Sequence, residues 1–134
     1  MRTISFLVVE DNNLAMDVVG KLLVYIGASH VQTFCEPKKV VDVALSKHFD
    51  LIIANYRVSS KKELEFFKKI RKAGCETPFL LITTDLDNDR LQKLAASGLH
   101  YVIQKPFDLE TFSEAVYAAL WNKWVPGHRK DSLE

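Results

Sequence analysis

The sequence has little of several features that mark particular classes of protein. Its only cysteines, Cys35 and Cys75, lack Cys-x-x-Cys spacing, so we expect neither a disulfide nor a thiolate metal site. The formal net charge of +1 supplies no field for direct binding of nucleic acid or an anionic membrane. Apolar runs are all shorter than the roughly 20 residues of a membrane span, and the first is too short for a signal peptide. We therefore expect a cytoplasmic protein.

Glycine is also scarce, with five residues in the chain and no cluster near its start. A Gly-rich loop is what a dinucleotide or P-loop site uses to cradle phosphate. A flavodoxin-like or nucleotide-handling enzyme remains an alternative, but the sequence offers no such cradle. We accordingly expect a protein that is not an enzyme and has no catalytic residues.

What the sequence does contain is a regular alternation of apolar patterns over 134 residues, a length typical of one domain. Five short apolar runs cover residues 4–9, 30–35, 50–55, 78–83 and 101–104. Three of them are continuously apolar, at residues 6–9, 51–54 and 79–82. This pattern is typical of strands buried on both faces, as in a parallel sheet covered by helices.

Segments with helical spacing follow each run, at residues 14–26, 37–47, 61–73, 87–97 and 109–124. Gly27, Gly74 and Gly98 follow three of them, as at helix ends, and Asp108 is expected to cap the last helix. The alternation predicts an α/β fold, (βα)₅, with a doubly wound parallel five-stranded sheet of order 2-1-3-4-5, flavodoxin-like. We assign residues 1–124 to this domain and residues 125–134 to a tail, a linker or a cloning remnant.

Polar side chains are predicted to gather where the strands end. Ligand chemistry in such a sheet lies outside the carboxyl ends of the strands, and the residues there are Glu10, Asp11, Asn55, Thr83 and Lys105. Two carboxylates with water could hold Mg²⁺, which prefers oxygen ligands. The alternative is that Glu10 and Asp11 merely begin the first helix, whose first turn favours negative charge.

Four segments in this order resemble the receiver domain of response regulators, chemotaxis-receiver-like, over about residues 4–120. They are the acidic strand end at residues 8–12 (VVEDN), the acceptor strand at 49–57 (FDLIIANYR), the hydroxyl strand at 78–83 (PFLLIT) and, after Ser97-Gly98, the lysine-proline signature at 105–107 (KPF). The resemblance implies that an intact receiver takes a phosphoryl group from a histidine kinase on an aspartate. Mg²⁺ would be held by the acidic pair, that aspartate and a backbone carbonyl, here that of Arg57.

The resemblance places Asn55 at the phosphoacceptor position, where an amide nitrogen has no lone pair free for attack on phosphorus. It also assigns Thr83 as the switch hydroxyl and Lys105 as the pocket lysine. Losing one carboxylate should leave Mg²⁺ binding weak if present at all, with no cofactor required, and we predict that Lys105 pairs with Asp11 or Glu10. A one-residue register error is the alternative, although Asp50 should lie at the other end of its strand.

Two more departures concern the switch. Residues 58–61 lack the proline and glycine of the family's loop, and Val102 stands where receivers usually keep an aromatic residue. Tyr101 is aromatic but should point to the opposite face of the sheet. We therefore interpret the chain as a two-component pseudo-receiver that acts through contacts with a histidine kinase, an effector domain or another signalling protein. A phosphorelay receiver that uses another acceptor, or Asn55 after deamidation, stays open.

The last helix carries aromatic residues outside its core face, namely Tyr117, Trp121 and Trp124. Aromatic residues are enriched at the centres of protein interfaces, and receivers by resemblance use the surface of helix four, strand five and helix five. We predict association there, including a homodimer. The alternative is that the two tryptophans fold back on Tyr101 or on the end of the domain.

Overall fold

The computed structural model describes residues 4–10, 13–34, 37–55, 60–84 and 87–124, a range that leaves out the predicted tail. Within these residues five strands alternate with five helices. The strands are β1 (Ser5–Val9), β2 (His30–Phe34), β3 (Leu51–Ala54), β4 (Phe79–Thr83) and β5 (Tyr101–Gln104), and the helices are α1 (Asn13–Tyr25), α2 (Pro37–Ser46), α3 (Ser60–Lys72), α4 (Asn88–Ala96) and α5 (Leu109–Trp124).

The strands form one parallel sheet in the order β2-β1-β3-β4-β5, which confirms the predicted topology. Val9, the last residue of β1, lies opposite Phe34 of β2 and Ala54 of β3. Thr83, the last residue of β4, lies opposite Gln104 of β5. The carboxyl ends of neighbouring strands are therefore level with one another along one edge of the sheet.

The core consists of two layers, one on each face of the sheet. Leu7 and Ile52 point into the layer that contains side chains of α2 and α3, whereas Phe6 and Leu51 point into the layer that contains side chains of α1 and α5. Successive side chains of a strand point to opposite faces, so a strand covered on both sides must be apolar throughout. Burying each large aliphatic side chain stabilises the fold by roughly 1.5–3 kcal/mol.

The helix ends follow the local sequence signals. Gly98 after α4 has a φ of 96°, a left-handed conformation that glycine adopts without steric penalty. The Leu99 N–H donates to the Leu94 carbonyl (3.0 Å) and the Gly98 N–H to the Ala95 carbonyl (2.9 Å), the bonding pattern of a Schellman cap. This arrangement ends α4 and directs the chain into β5.

The amino end of α5 is capped as predicted. The Asp108 carboxylate accepts a hydrogen bond from the Thr111 backbone N–H at 2.7 Å, which satisfies one of the N–H groups that a helix start leaves without a partner. This hydrogen bond, together with one from the Thr111 side chain, lowers the pKa of Asp108 below its ordinary value.

Candidate functional site

The carboxyl ends of the strands bring the predicted pocket residues to one edge of the sheet. The Asn55 N–H donates to the Val9 carbonyl at 2.7 Å, which ties the residue after β3 to the end of β1. The Lys105 N–H donates to the Thr83 carbonyl at 2.8 Å, which ties the residue after β5 to the end of β4. Glu10 directly follows β1 and completes the row. We refer to the edge formed by Glu10, Asn55, Thr83 and Lys105 as the pocket. Asp11 and Arg57, also predicted for this site, lie outside the described residues.

The polar residues in this row are buried. Glu10 is 0%, Asn55 2% and Thr83 4% exposed, and Lys105 is half-buried. Taking such groups out of water is unfavourable unless hydrogen bonds or charges compensate. The Asn55 Oδ1 atom is buried and accepts no hydrogen bond from any described residue. An acceptor oxygen in that state is a group that a donor or a cation at the pocket would stabilise.

The row is a partial fit for Mg²⁺. The Glu10 carboxylate and the Asn55 amide both offer oxygen atoms, the ligand type that this ion prefers. The amide is neutral, however, so it contributes no charge against the ion. The described residues contain no group of three histidine, cysteine, aspartate or glutamate side chains around one point. These residues alone therefore provide one carboxylate and one neutral oxygen.

Arg90, in the first turn of α4, contacts the pocket although sequence reasoning did not identify it. Its Nη1 atom donates a hydrogen bond to the Thr83 Oγ1 atom at 2.8 Å. Burial lowers the pKa of the guanidinium from its ordinary value, but arginine remains charged in proteins. No pattern in the sequence distinguishes Arg90 from an exposed arginine. The direction of its side chain depends on how α4 is oriented relative to the end of β4.

Lys105 forms no ion pair with Glu10, one of the two partners predicted for it. Among the described residues, the ion pairs are His48–Asp50 and Lys93–Asp89, and neither involves the Lys105 ammonium. The half-buried position of Lys105 explains this, since part of its side chain remains in water and needs no buried partner. The alternative pairing with Asp11 falls outside the described residues.

Asp50 lies at the opposite edge of the sheet, before β3. It is 1% exposed, and its Oδ2 atom accepts a hydrogen bond from the Ser5 N–H at 2.8 Å. Its Oδ1 atom lies 3.3 Å from His48 Nε2. Asp50 thus joins the starts of β1 and β3, as its position in the sequence predicted, and is separated from Asn55 by the whole length of the strand.

The model of the response regulator receiver domain family matches residues 6–117. This chain belongs to that family. The match begins within β1 and ends within α5, so it covers almost all of the fold described above. The family is one of signalling domains.

Named relatives agree with this assignment. The response regulator ArlR of Staphylococcus aureus is 34% identical over 92 residues, which are 68% of this chain and 41% of the relative. The chain thus spans less than half the length of this relative. Chemotaxis protein CheY4 of Vibrio cholerae superposes with a TM-score of 0.77 at 26% identity, covering 89% of this chain and 100% of that structure. A two-component response regulator from Clostridium difficile gives 0.78 at 19% identity, covering 91% and 99%, which supports the fold alone.

The fifth strand of this receiver shows the predicted alternation of its side chains. Val102 packs against the layer that contains α2 and α3, and Tyr101 packs against the layer that contains α1 and α5. The aromatic ring of Tyr101 is therefore on the opposite face of the sheet from Val102, the position at which receivers usually keep an aromatic residue. Tyr101 does not replace it.

The two described aromatic residues of the stripe on the receiver's last helix, Tyr117 and Trp121, are partly exposed. Tyr117 is 51% and Trp121 54% exposed, so Trp121 does not fold back into the domain. The Tyr117 hydroxyl donates to the Ile26 carbonyl, just after α1, at 3.5 Å, so the side of α5 that carries Tyr117 faces the end of α1. The side chain of Trp124 lies outside the described part of the structure.

Along the described ranges of this receiver, no helix has both the length and the apolar character needed to cross a bilayer.

Proposed function

We propose that this receiver domain does not take up a phosphoryl group at Asn55 and acts in two-component signalling through protein contacts, without catalytic activity. The observation that supports this is the position of Asn55. It is buried, it follows β3, and its backbone is bonded to the end of β1 beside Glu10. By its resemblance to the family, this is where the acceptor aspartate belongs.

The chemistry of the amide group supports the proposal. A carboxylate oxygen attacks phosphorus with a lone pair and forms an acyl phosphate, whereas the amide nitrogen lone pair is delocalised into the carbonyl group. Asp50 is not a substitute acceptor. It lies at the other edge of the sheet, and its oxygens contact the Ser5 N–H and His48.

A bound Mg²⁺ would not be required for this function. Glu10, Asp11 and the Arg57 carbonyl would hold the ion if it bound, and it would supply positive charge against the carboxylates. Replacing aspartate by Asn55 removes one negative charge from this set, so the attraction between the site and the ion is weaker. We therefore expect weak binding at most.

The partners that fit this function are proteins. A histidine kinase, an effector domain or another signalling protein in the cytoplasm would bind the receiver, and a second copy could occupy the surface of α4, β5 and α5. The exposed Trp121 supports an interface that includes α5, since exposed aromatic side chains are frequent anchors of interfaces. The relative ArlR is longer than this chain, so the output of a longer protein would depend on segments beyond the receiver.

Incubation with a small phosphodonor, followed by measurement of the intact mass, tests the proposal. We expect no gain of a phosphoryl group by the natural chain, with or without Mg²⁺. Asn55→Asp restores a carboxylate at the end of β3 and serves as the positive control. A phosphoryl gain by the natural chain would overturn the proposal, and peptide mapping would then separate another acceptor from deamidated Asn55.

A further inference from the structure

Thr83 is held at the pocket from two sides. Its carbonyl accepts the Lys105 N–H at 2.8 Å, which joins it to the residue after β5. Its hydroxyl accepts a hydrogen bond from Arg90 Nη1 at the same length, which joins it to α4. One residue at the end of β4 therefore connects the pocket, β5 and the first turn of α4.

Arg90 is itself fixed at both its backbone and its side chain. The Asp87 carboxylate caps α4 by accepting the Arg90 N–H at 2.8 Å, and the Asp87 carbonyl accepts the Leu91 N–H at 2.9 Å. The cap fixes the backbone from which the Arg90 side chain extends to Thr83. Arg90 thus links a fixed helix start, through its side chain, to the Thr83 hydroxyl.

The bond between these two residues is of a strong kind. A charged donor gives a shorter and stronger hydrogen bond than a neutral one, and Thr83 is 4% exposed, so water competes little for its hydroxyl. Charged interactions are also stronger in the low dielectric of a protein interior. The guanidinium keeps its charge at every physiological pH, so the bond does not depend on phosphorylation or on a bound cation.

We propose that Arg90 is a positioning residue that fixes the Thr83 hydroxyl and thereby couples the start of α4 to the pocket. The inference rests on the proposed function, because it concerns a pocket that carries no phosphoryl group. In a phosphorylated receiver, by resemblance, the hydroxyl reads the phosphoryl oxygens. In this chain the Arg90 guanidinium holds the hydroxyl instead. This bond gives the surface of α4 that a partner would contact a single arrangement.

Amide hydrogen exchange and methyl NMR on the whole chain, without phosphodonor, test the coupling. Arg90→Gln removes the charge but keeps a good helix former, and Thr83→Val removes the hydroxyl at nearly constant volume. We expect Arg90→Gln to accelerate exchange of the Leu91 amide about tenfold, the factor that corresponds to 1.4 kcal/mol, and to move the Thr83 methyl signal. Lys93→Gln removes an exposed charge from the same helix and should change neither.

Two further comparisons separate positioning from general stability. If the bond couples the residues, the double variant Arg90→Gln/Thr83→Val should exchange at Leu91 no faster than Arg90→Gln alone. Arg90→Lys, which keeps a charged donor, should restore part of the protection, and Thr83→Ser should keep it. Additive effects, or an unchanged Leu91 amide and Thr83 methyl signal in Arg90→Gln, would overturn the inference.

The milder pair, Arg90→Lys and Thr83→Ser, keeps the test decisive if either stronger variant fails to fold. Loss of Leu91 protection in Thr83→Ser, which retains the hydroxyl, would count against the bond as the source of coupling. The outcome is also distinct from that of the phosphodonor experiment. A phosphoryl gain would overturn the proposed function. The coupling between Arg90 and Thr83 is measured in unmodified protein, so its result does not depend on the phosphodonor experiment.

Discussion

The Asp50 carboxylate accepts a hydrogen bond from the Ser5 backbone N–H at 2.8 Å, at the amino edge of the sheet. The Asp50 N–H donates in turn to the Ser5 carbonyl at 2.9 Å. These two bonds join the starts of β1 and β3, two neighbouring interior strands whose opposite ends are followed by Glu10 and Asn55. The buried Asp50 therefore stabilises the sheet at the edge opposite the pocket.

Removing the Asp50 carboxylate should destabilise the fold. Asp50→Ala leaves the half-buried Ser5 N–H without its carboxylate acceptor, a loss that typically costs about 1–3 kcal/mol. Urea unfolding followed by circular dichroism measures it. Asp42→Ala, which removes an exposed aspartate of α2, should change the free energy of unfolding by less than about 0.5 kcal/mol. Equal losses in the two variants would contradict this role for Asp50.

The cap of α5 gives a pH dependence of known sign. Hydrogen bonds from Thr111 lower the pKa of Asp108 below its ordinary value of 3.8, so the folded state favours the ionised carboxylate. The stabilisation is therefore complete above the ordinary value and is lost as the pH falls through the lower pKa of the folded chain.

Carbon-detected NMR titration of the Asp108 carboxyl group measures this pKa directly. Asp108→Asn keeps an oxygen that can cap the helix but does not ionise, so unfolding of this variant should lack the Asp108 contribution to the acid dependence. Glu114→Gln, an exposed change later in the same helix, should keep it. An Asp108 pKa at or above its ordinary value would contradict the prediction.

Much of the fold could be predicted from the sequence because its signals are local. The apolar run at residues 51–54 identified a strand covered on both faces, and Gly98 identified the end of α4. The polar row followed from topology, since parallel strands end at the same edge. The position of Asn55 at this edge of the sheet could therefore be predicted from the sequence.

What could not be predicted depends on how helices pack. The bond from Arg90 to Thr83 requires the direction in which α4 starts, and the contact of Tyr117 with Ile26 requires knowing which side of α5 faces α1. Helical periodicity predicts which face of a helix carries each side chain, but not which residue of another element that side chain contacts. The partner of Lys105 could not be predicted for a related reason, because charge alone does not decide which of two carboxylates, Asp11 or Glu10, a flexible lysine side chain reaches.

Introducing a carboxylate at position 55 should make stability depend on Mg²⁺. Asn55→Asp adds a second negative charge beside the buried Glu10, and like charges in a shared site repel one another. We expect the variant to be less stable than the natural chain in chelator and to regain stability with Mg²⁺. Its affinity for the ion should rise about tenfold or more, since each added charge strengthens the attraction at short range.

Unfolding in chelator and across a Mg²⁺ series measures both effects through ligand linkage. Asn88→Asp makes the same chemical change at an exposed position in the first turn of α4 and serves as the matched control. It should show no gain in Mg²⁺ dependence. A variant at position 55 that responds to the ion no more than this control would show that Asn55 lies apart from the cation site.

Association of the receiver should depend on the exposed Trp121 of α5. Trp121→Glu places a charge on a side chain that is 54% exposed, so the free energy of unfolding should change by less than about 0.5 kcal/mol. If α5 forms an interface, the charge must be desolvated there, and the molar mass from sedimentation equilibrium should fall toward that of the monomer.

Leu45→Glu, on α2 with 52% exposure, tests whether any exposed apolar residue has this effect. Mass and partner binding unchanged by Trp121→Glu would argue against an interface at α5, and an equal fall in Leu45→Glu would indicate nonspecific association.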